Sequence, residues 1–192
     1  MSEWKHYKMG ELIEEISMGP FGSDVRKEYY VESGIPILNG SNLQGFKLNE
    51  QNFGYLTEEK ADSLKKSNAT RGDIIVTHRG TLGQIVYIPD DSKYDRYVIS
   101  QSQFRFRCNP DLAFPPYLVY FFHTKIGQYK ILANASQVGV PALARASTTF
   151  RQIDIDIPDV KTQIEIASIL SSLDDKIAVK RRICQNLEEQ AQ

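Results

Sequence analysis

The chain has 192 residues, 41% hydrophobic and 24% charged, with a formal net charge of −1 at pH 7. That length buries one sizeable core and leaves room for an appendage, and the apolar-to-charged balance is that of a soluble globular protein. Near-neutrality excludes indiscriminate sticking to nucleic acid, and no run of about 18 apolar residues offers a membrane span. The first six residues, Met1 to His6, are polar and lack the apolar stretch of a signal peptide. Cys108 and Cys184 fall in regions of different predicted structure, so both are expected as free thiols in a reducing cytoplasm. Along the chain, Leu12, Ile13 and Ile16 recur at helical spacing and predict a short helix near Lys8–Ile16. Met18 to Ser23, with two glycines and a proline, breaks it. Ile35 to Leu38 reads as a strand, and Pro36 places it at an edge or makes it a strand start. Asn39 to Asn42 is a turn, and Thr57 N-caps a polar surface helix reaching Lys66.

The middle of the chain is sharper. Ile74-Ile75-Val76-Thr77 is a β-branched strand, His78 to Gly83 a tight loop, and Gln84 to Ile88 a second strand that Pro89-Asp90-Asp91 ends. Phe104-Arg105-Phe106-Arg107 alternates at period two, with both phenylalanines on one face and both arginines on the other. Pro115-Pro116 starts a helix whose body, Tyr117 to Phe122, is apolar nearly all round and therefore buried. Ala135 to Thr149 reads as a loop of small residues, and Ile153 to Ile157 as an alternating strand. From about Lys161–Thr162 a helix runs to the last residue. Its apolar positions Ile166, Leu170, Leu173, Ile177, Lys180, Cys184 and Leu187 alternate steps of four and three, the a/d seam of a coiled coil with Lys180 as its one polar member. The pattern is still running at Gln192, which implies a segment of something longer or a half-length subunit that pairs with itself through the open seam.

Catalytic signatures are missing. The three histidines and two cysteines have no metal-ligand spacing, and neither GxxxxGK, GxGxxG nor G-x-S-x-G occurs. Phe114-Pro115-Pro116-Tyr117 resembles an amino-methyltransferase loop, but Phe114 cannot accept the hydrogen bond that loop needs. Pro158-Asp159 and Asp174-Asp175-Lys176 have nuclease-like spacing, but the second group lies inside the long helix, about 20 Å or more from the first. His78 beside Arg79 has no carboxylate or nucleophile near it in sequence. These absences favour a binding or assembly module over an enzyme. Charge is unevenly spread: residues 101–151 carry six basic side chains and one acidic, while the segments on either side are net negative. A polyanion could meet a local positive face there.

Taken together, Gly34-Ile35-Pro36-Ile37, then Arg71-Gly72-Asp73-Ile74 through Gly80-Thr81-Leu82-Gly83, then Gln163 through Leu173-Asp174-Asp175-Lys176-Ile177, form an ordered set. This set resembles the specificity subunit of type I restriction–modification systems along the whole chain. The resemblance implies an α+β fold: a mixed-sheet target-recognition domain over residues 1–158, then one long coiled-coil helix over 159–192. It implies a cytoplasmic, non-catalytic subunit that reads one half of a split double-stranded DNA target and docks methyltransferase subunits. A restriction subunit joins the complex, and S-adenosylmethionine, ATP and Mg belong to the partners rather than to this chain. The full subunit has two recognition domains and two antiparallel helices; this sequence holds one of each.

On that reading, Arg105, Arg107, Lys125, Lys130 and Arg145 are candidates for phosphate contacts. Ser41, Asn42, Thr77, His78, Arg79, Thr81, Ser136 and Gln137 are candidates for base contacts, Arg79 foremost. The alternative is a coiled-coil assembly module with no DNA specificity of its own.

Overall fold

A computed structural model describes residues 3–133, 135–136 and 139–190. Strand β1 (Lys5–Lys8) leads into a single helical turn, α1 (Met9–Leu12), which Glu11 caps by accepting the Lys8 N–H at 2.6 Å. The helix expected to reach Ile16 stops there. Ile13–Met18 is strand β2, because a long antiparallel partner is available to it and tertiary pairing overrides a short run of helical spacing. Strands β3 (Tyr30–Val31), β4 (Ile35–Ile37) and β5 (Gly54–Leu56) follow. Helix α2 (Glu58–Ser63) starts at Thr57, whose hydroxyl accepts from Lys60 N–H at 3.2 Å, as its sequence predicts. Next come β6 (Asn68–Ala69), β7 (Ile74–Thr77), β8 (Ile85–Tyr87), β9 (Tyr97–Val98) and β10 (Gln103–Cys108).

The second half is mostly helical. The buried helix α3 (Pro115–His123) begins on its two prolines and α4 (Lys125–Leu132) follows. The expected small-residue loop is more ordered than its composition suggests. It contains a hairpin, β11 (Ala135–Ser136) and β12 (Ala142–Leu143), and a helix, α5 (Ala146–Arg151). Strand β13 (Asp154–Ile157) pairs back to β1 from Lys5↔Ile157 to Lys8↔Asp154. The long helix α6 (Val160–Gln190) then starts at Asp159, whose carboxylate accepts from the Thr162 N–H at 3.0 Å and the Thr162 hydroxyl at 3.1 Å.

Two sheets organise the domain. One has the strand order β2-β10-β7-β8, the other β3-β5-β4-β9-β6. Pro36 therefore lies on a central strand and not at an edge. The arrangement is tolerated because β4 meets β9 only at Ile37↔Val98, beyond the position where proline lacks its N–H. Strands β7 and β8 are buried on both faces. Ile74, Val76, Ile85 and Tyr87 enter the main core, whereas Ile75, Val86 and Ile88 enter a second one with Leu38, Leu43 and Tyr97. A strand wrapped on both sides needs an unbroken apolar run, which is what the sequence supplies there. In the main core, Phe150 of α5 lies 5.1–5.4 Å from the rings of Phe104, Phe106 and Phe122.

Helix α6 docks on this body through its first half. Gln163 and Ala167 are buried, Ile166 and Leu170 are half-buried against the core, and Asp174 accepts from the Tyr120 hydroxyl at 2.5 Å. The expected seam thus divides. Its first two members, Ile166 and Leu170, pack on the chain's own domain, while Leu173, Ile177, Lys180, Cys184 and Leu187 stand exposed.

Candidate nucleic-acid interface

The sheet β2-β10-β7-β8 is antiparallel, so the end of β2, the start of β10, the end of β7 and the start of β8 meet at one edge. Short-range backbone contacts tie the connecting segments together there. His78 N–H donates to Ser102 at 2.9 Å and Gly19 N–H to Gln103 at 2.8 Å. The 78–83 loop is stitched to the β11–β12 hairpin by Gly80 N–H to Pro141 at 2.8 Å, Leu143 N–H to His78 at 2.8 Å and an Arg79↔Ala142 bridge. Gln84 reaches across to Gly40 at 3.1 Å and brings in a 3₁₀ turn, Gly40–Leu43. Gly83, at φ +84°, closes the loop where an added Cβ would strike Gln128.

Of the predicted contact residues, Ser41, Arg79, Thr81, Ser136 and Arg145 are exposed on these segments. Arg145 sits two residues past β12 in a left-handed conformation, φ 48°. Lys125 is exposed at the start of α4. Gln137 lies outside the described residues.

The others are placed differently, and each for a physical reason. Asn42 is fully buried. Its carbonyl accepts from Asn39 N–H, and its amide donates to Asn49 and Gln51 at 2.8 and 2.7 Å, which staples the loop that Ser41 sits on. Thr77 is buried with its hydroxyl on Gln84 at 3.1 Å. His78 is half-buried; burial holds its imidazole below the ordinary range, partly offset by the Gln101 carbonyl, and its Nε2 has no hydrogen-bond partner among the described residues. Arg105 is only 7% exposed and is committed to Glu15 at 2.6 Å and Asp73 at 3.5 Å. Arg107 binds the other Asp73 oxygen at 2.8 Å and the Thr70 hydroxyl at 2.6 Å. Lys130 is turned to the Asp154 carbonyl at 2.7 Å. Half of the positive charge counted in residues 101–151 therefore serves the fold. A buried carboxylate, Asp73, gathers the two arginines. Burial pushes it up, against the Thr70 N–H and both guanidiniums.

Sequence reasoning missed three contributors to this edge. Gln84 joins two of its loops, Gln101 lies exposed beside Gly22, and Phe21, 82% exposed, crowns the Gly19–Gly22 segment. The signal for Phe21 was present: an aromatic between glycines has no apolar periodicity to join.

The family model described as "Type I restriction modification DNA specificity domain" matches residues 1–189. The type I restriction enzyme HindI specificity subunit of Haemophilus influenzae is 26% identical over 198 residues, spanning 100% of this chain and 40% of that protein. A solved structure concerned with complex assembly and conformational transition of the type I R-M system superposes with TM-score 0.66 at 18% identity, covering 94% of this chain and 40% of that one. The type I restriction-modification S subunit from M. genitalium superposes with TM-score 0.60 at 19% identity, covering 92% and 40%. At these identities the two structures speak for the α+β fold alone. The chain spans about 40% of the length of the relatives it matches. By the match over nearly its whole length, the chain belongs to the type I restriction modification DNA specificity domain family.

Proposed function

We propose that residues 1–158 read one half of a split duplex target and that α6 is the spacer along which methyltransferase subunits dock. The observation that carries this reading is the gathered edge, where Arg79, Thr81, Ser41, Ser136 and Arg145 stand exposed on loops pinned by a rigid sheet. Polar tips on a fixed frame suit base reading, and the arginines suit guanine edges or phosphates. Helix α6 has 31 residues and spans about 46 Å, more than the roughly 34–36 Å of one DNA turn. In this reading the chain itself catalyses nothing. S-adenosylmethionine, ATP and Mg act on the methyltransferase and restriction subunits. A second reading, assembly alone, draws on the exposed Leu173, Ile177 and Leu187, and a self-paired dimer belongs to either.

The test is duplex binding by fluorescence anisotropy across a salt series, with and without the methyltransferase partner. Binding is expected to weaken steeply with salt. Arg79→Ala is expected to cost about 1–3 kcal/mol on specific DNA and less on random DNA. Absence of duplex binding at low salt with the partner present would refute the reading and leave assembly standing.

A further inference from the structure

Away from the gathered edge, at the other end of the β7–β8 hairpin, a cleft of about 470 Å³ opens between the domain and α6. Its apolar walls are Tyr87, Phe114, Pro115 and Pro116 on one side and Ile164 and Ala167 on the other. The Phe-Pro-Pro segment that lacks methyltransferase chemistry is thus a wall of this cleft. Asp90 and Asp91 form its lip, both exposed and, among the described residues, in no ion pair. Asp174 and Asp175 stand just past Ser171, where α6 leaves the cleft. All four carboxylates bear on one atom, the Tyr87 hydroxyl, which burial first and then these charges push up to about 12. Lys47, the one cation lining the cleft, is already held by Asp175 at 3.2 Å.

The field at this mouth is therefore negative. It repels a phosphate backbone and draws cationic side chains. The volume lies within the roughly 300–1,000 Å³ of small binding pockets, enough for one or two large apolar side chains. The cleft also avoids the exposed seam. Ser171 lines the cleft and Leu173 the seam, and two residues on a helix stand about 200° apart. A helix lying on the seam would leave the cleft free.

We propose that this cleft seats a segment of a partner protein in which an apolar side chain lies between lysines or arginines. The inference rests on the reading above only in that the chain works beside another protein. Charge complementarity selects the occupant: the apolar residue fills the Phe114–Ala167 gap while its basic neighbours meet the unpaired Asp90 and Asp91, with Asp174 and Asp175, engaged by Tyr120 and Lys47, adding only to the field.

The experiment follows amide shifts of the ¹⁵N-labelled full chain with two capped peptides, Lys-Leu-Phe-Lys-Arg and Glu-Leu-Phe-Glu-Glu, at about 50 mM salt. The basic peptide is expected to shift the amides of Gly72, Asp90, Asp91, Ile164 and Ser168, and the acidic one to leave them in place. Asp90→Asn with Asp91→Asn is expected to weaken the basic peptide about fivefold or more, and Ser168→Phe, at an exposed wall position, to abolish its binding. Neither variant should weaken duplex binding. No shift at about 2 mM peptide, shifts mapping elsewhere, or equal binding of both peptides overturns the proposal. Loss of duplex binding by the unmodified chain would count against the DNA reading and leave the cleft's occupant untouched.

Discussion

His78 couples the loop edge to pH. Its folded imidazole titrates below the ordinary 6.5, chiefly because burial disfavours the cation. A depressed histidine contributes stability that is complete above the unfolded value and is lost as pH falls through the folded one. His6 has the opposite sign: Asp156 raises it, so its contribution is present at low pH and fades as pH rises through its folded value. That pair is fully exposed and screened. Thermal melts between pH 8 and pH 5 should therefore show a fall on the acid side, and His78→Gln should remove part of it while His6→Gln does not. A slope unchanged in His78→Gln would contradict this. Asp73 makes a second case. Removing it takes the second carboxylate from Arg105, which keeps Glu15, and the carboxylate partner from Arg107, so Asp73→Ala should cost about 3 kcal/mol in urea unfolding, and Asp73→Asn, which keeps an acceptor for Thr70 N–H, less. The phase of Arg105 and Arg107 was legible in the Phe-Arg-Phe-Arg alternation. Their fate was not, because Glu15 and Asp73 lie 90 and 34 residues away in sequence. Asn42 and Thr77, expected at exposed loop tips, lie buried for the same reason: a polar side chain in a turn looks exposed until its partner is known.

The most committed side chain of α6 is Gln163, which is fully buried. Its carbonyl accepts from Phe114 N–H at 2.8 Å, and its amide donates to Leu112 and Pro158 at 2.9 Å each. It thus ties the helix start to the segment before α3 and to the end of β13. Gln163→Ala leaves three backbone groups short of a partner, the Pro158 carbonyl buried and Phe114 N–H and the Leu112 carbonyl half-buried, with a loss of about 1–3 kcal/mol for the buried one and less for each of the others. Hydrogen exchange at Phe114 and along the first turns of α6 should speed up well before β7 and β10 do; uniform acceleration would mean the contact is not a local clamp. Elements with a strong period or a proline mark, such as β7, β10, α3 and α6, were readable from sequence. Strands of two residues were not. The pair β6–β9 exists because distant backbone arrives to complete it, and the local β11–β12 pair is held against the 78–83 loop by Leu143 N–H to His78 and the Arg79↔Ala142 bridge; nothing in Ala-Ser or Ala-Leu announces either. Strand β2 was hidden by three apolar residues whose spacing also suits a helix.

At the scale of the molecule, the two proposed surfaces lie at different ends. Loops tipped with Arg79 and Arg145 gather at one edge of the sheet, and four aspartates surround a cleft away from it. Between them α6 carries an exposed apolar line. A charge placed in it, Leu173→Lys, should abolish self-association or partner-helix binding in a sizing experiment and leave the domain's melting point nearly unchanged, because Leu173 is 49% exposed. An unaltered elution profile would show that the line is not a contact surface. Among the described residues, the Tyr120–Asp174 and Lys47–Asp175 contacts are the last hydrogen bonds or ion pairs that tie α6 to the body. The helix runs fifteen residues further, about 22 Å, as a cantilever. Such a lever magnifies error at its root: a tilt of about 5° there displaces Gln190 by about 2 Å. If α6 is the proposed spacer, the accuracy of its spacing is thus decided at Gln163, Ala167 and Tyr120, far from Gln190. On the proposed spacer role, softening that root would blur the spacing without altering any residue near Gln190.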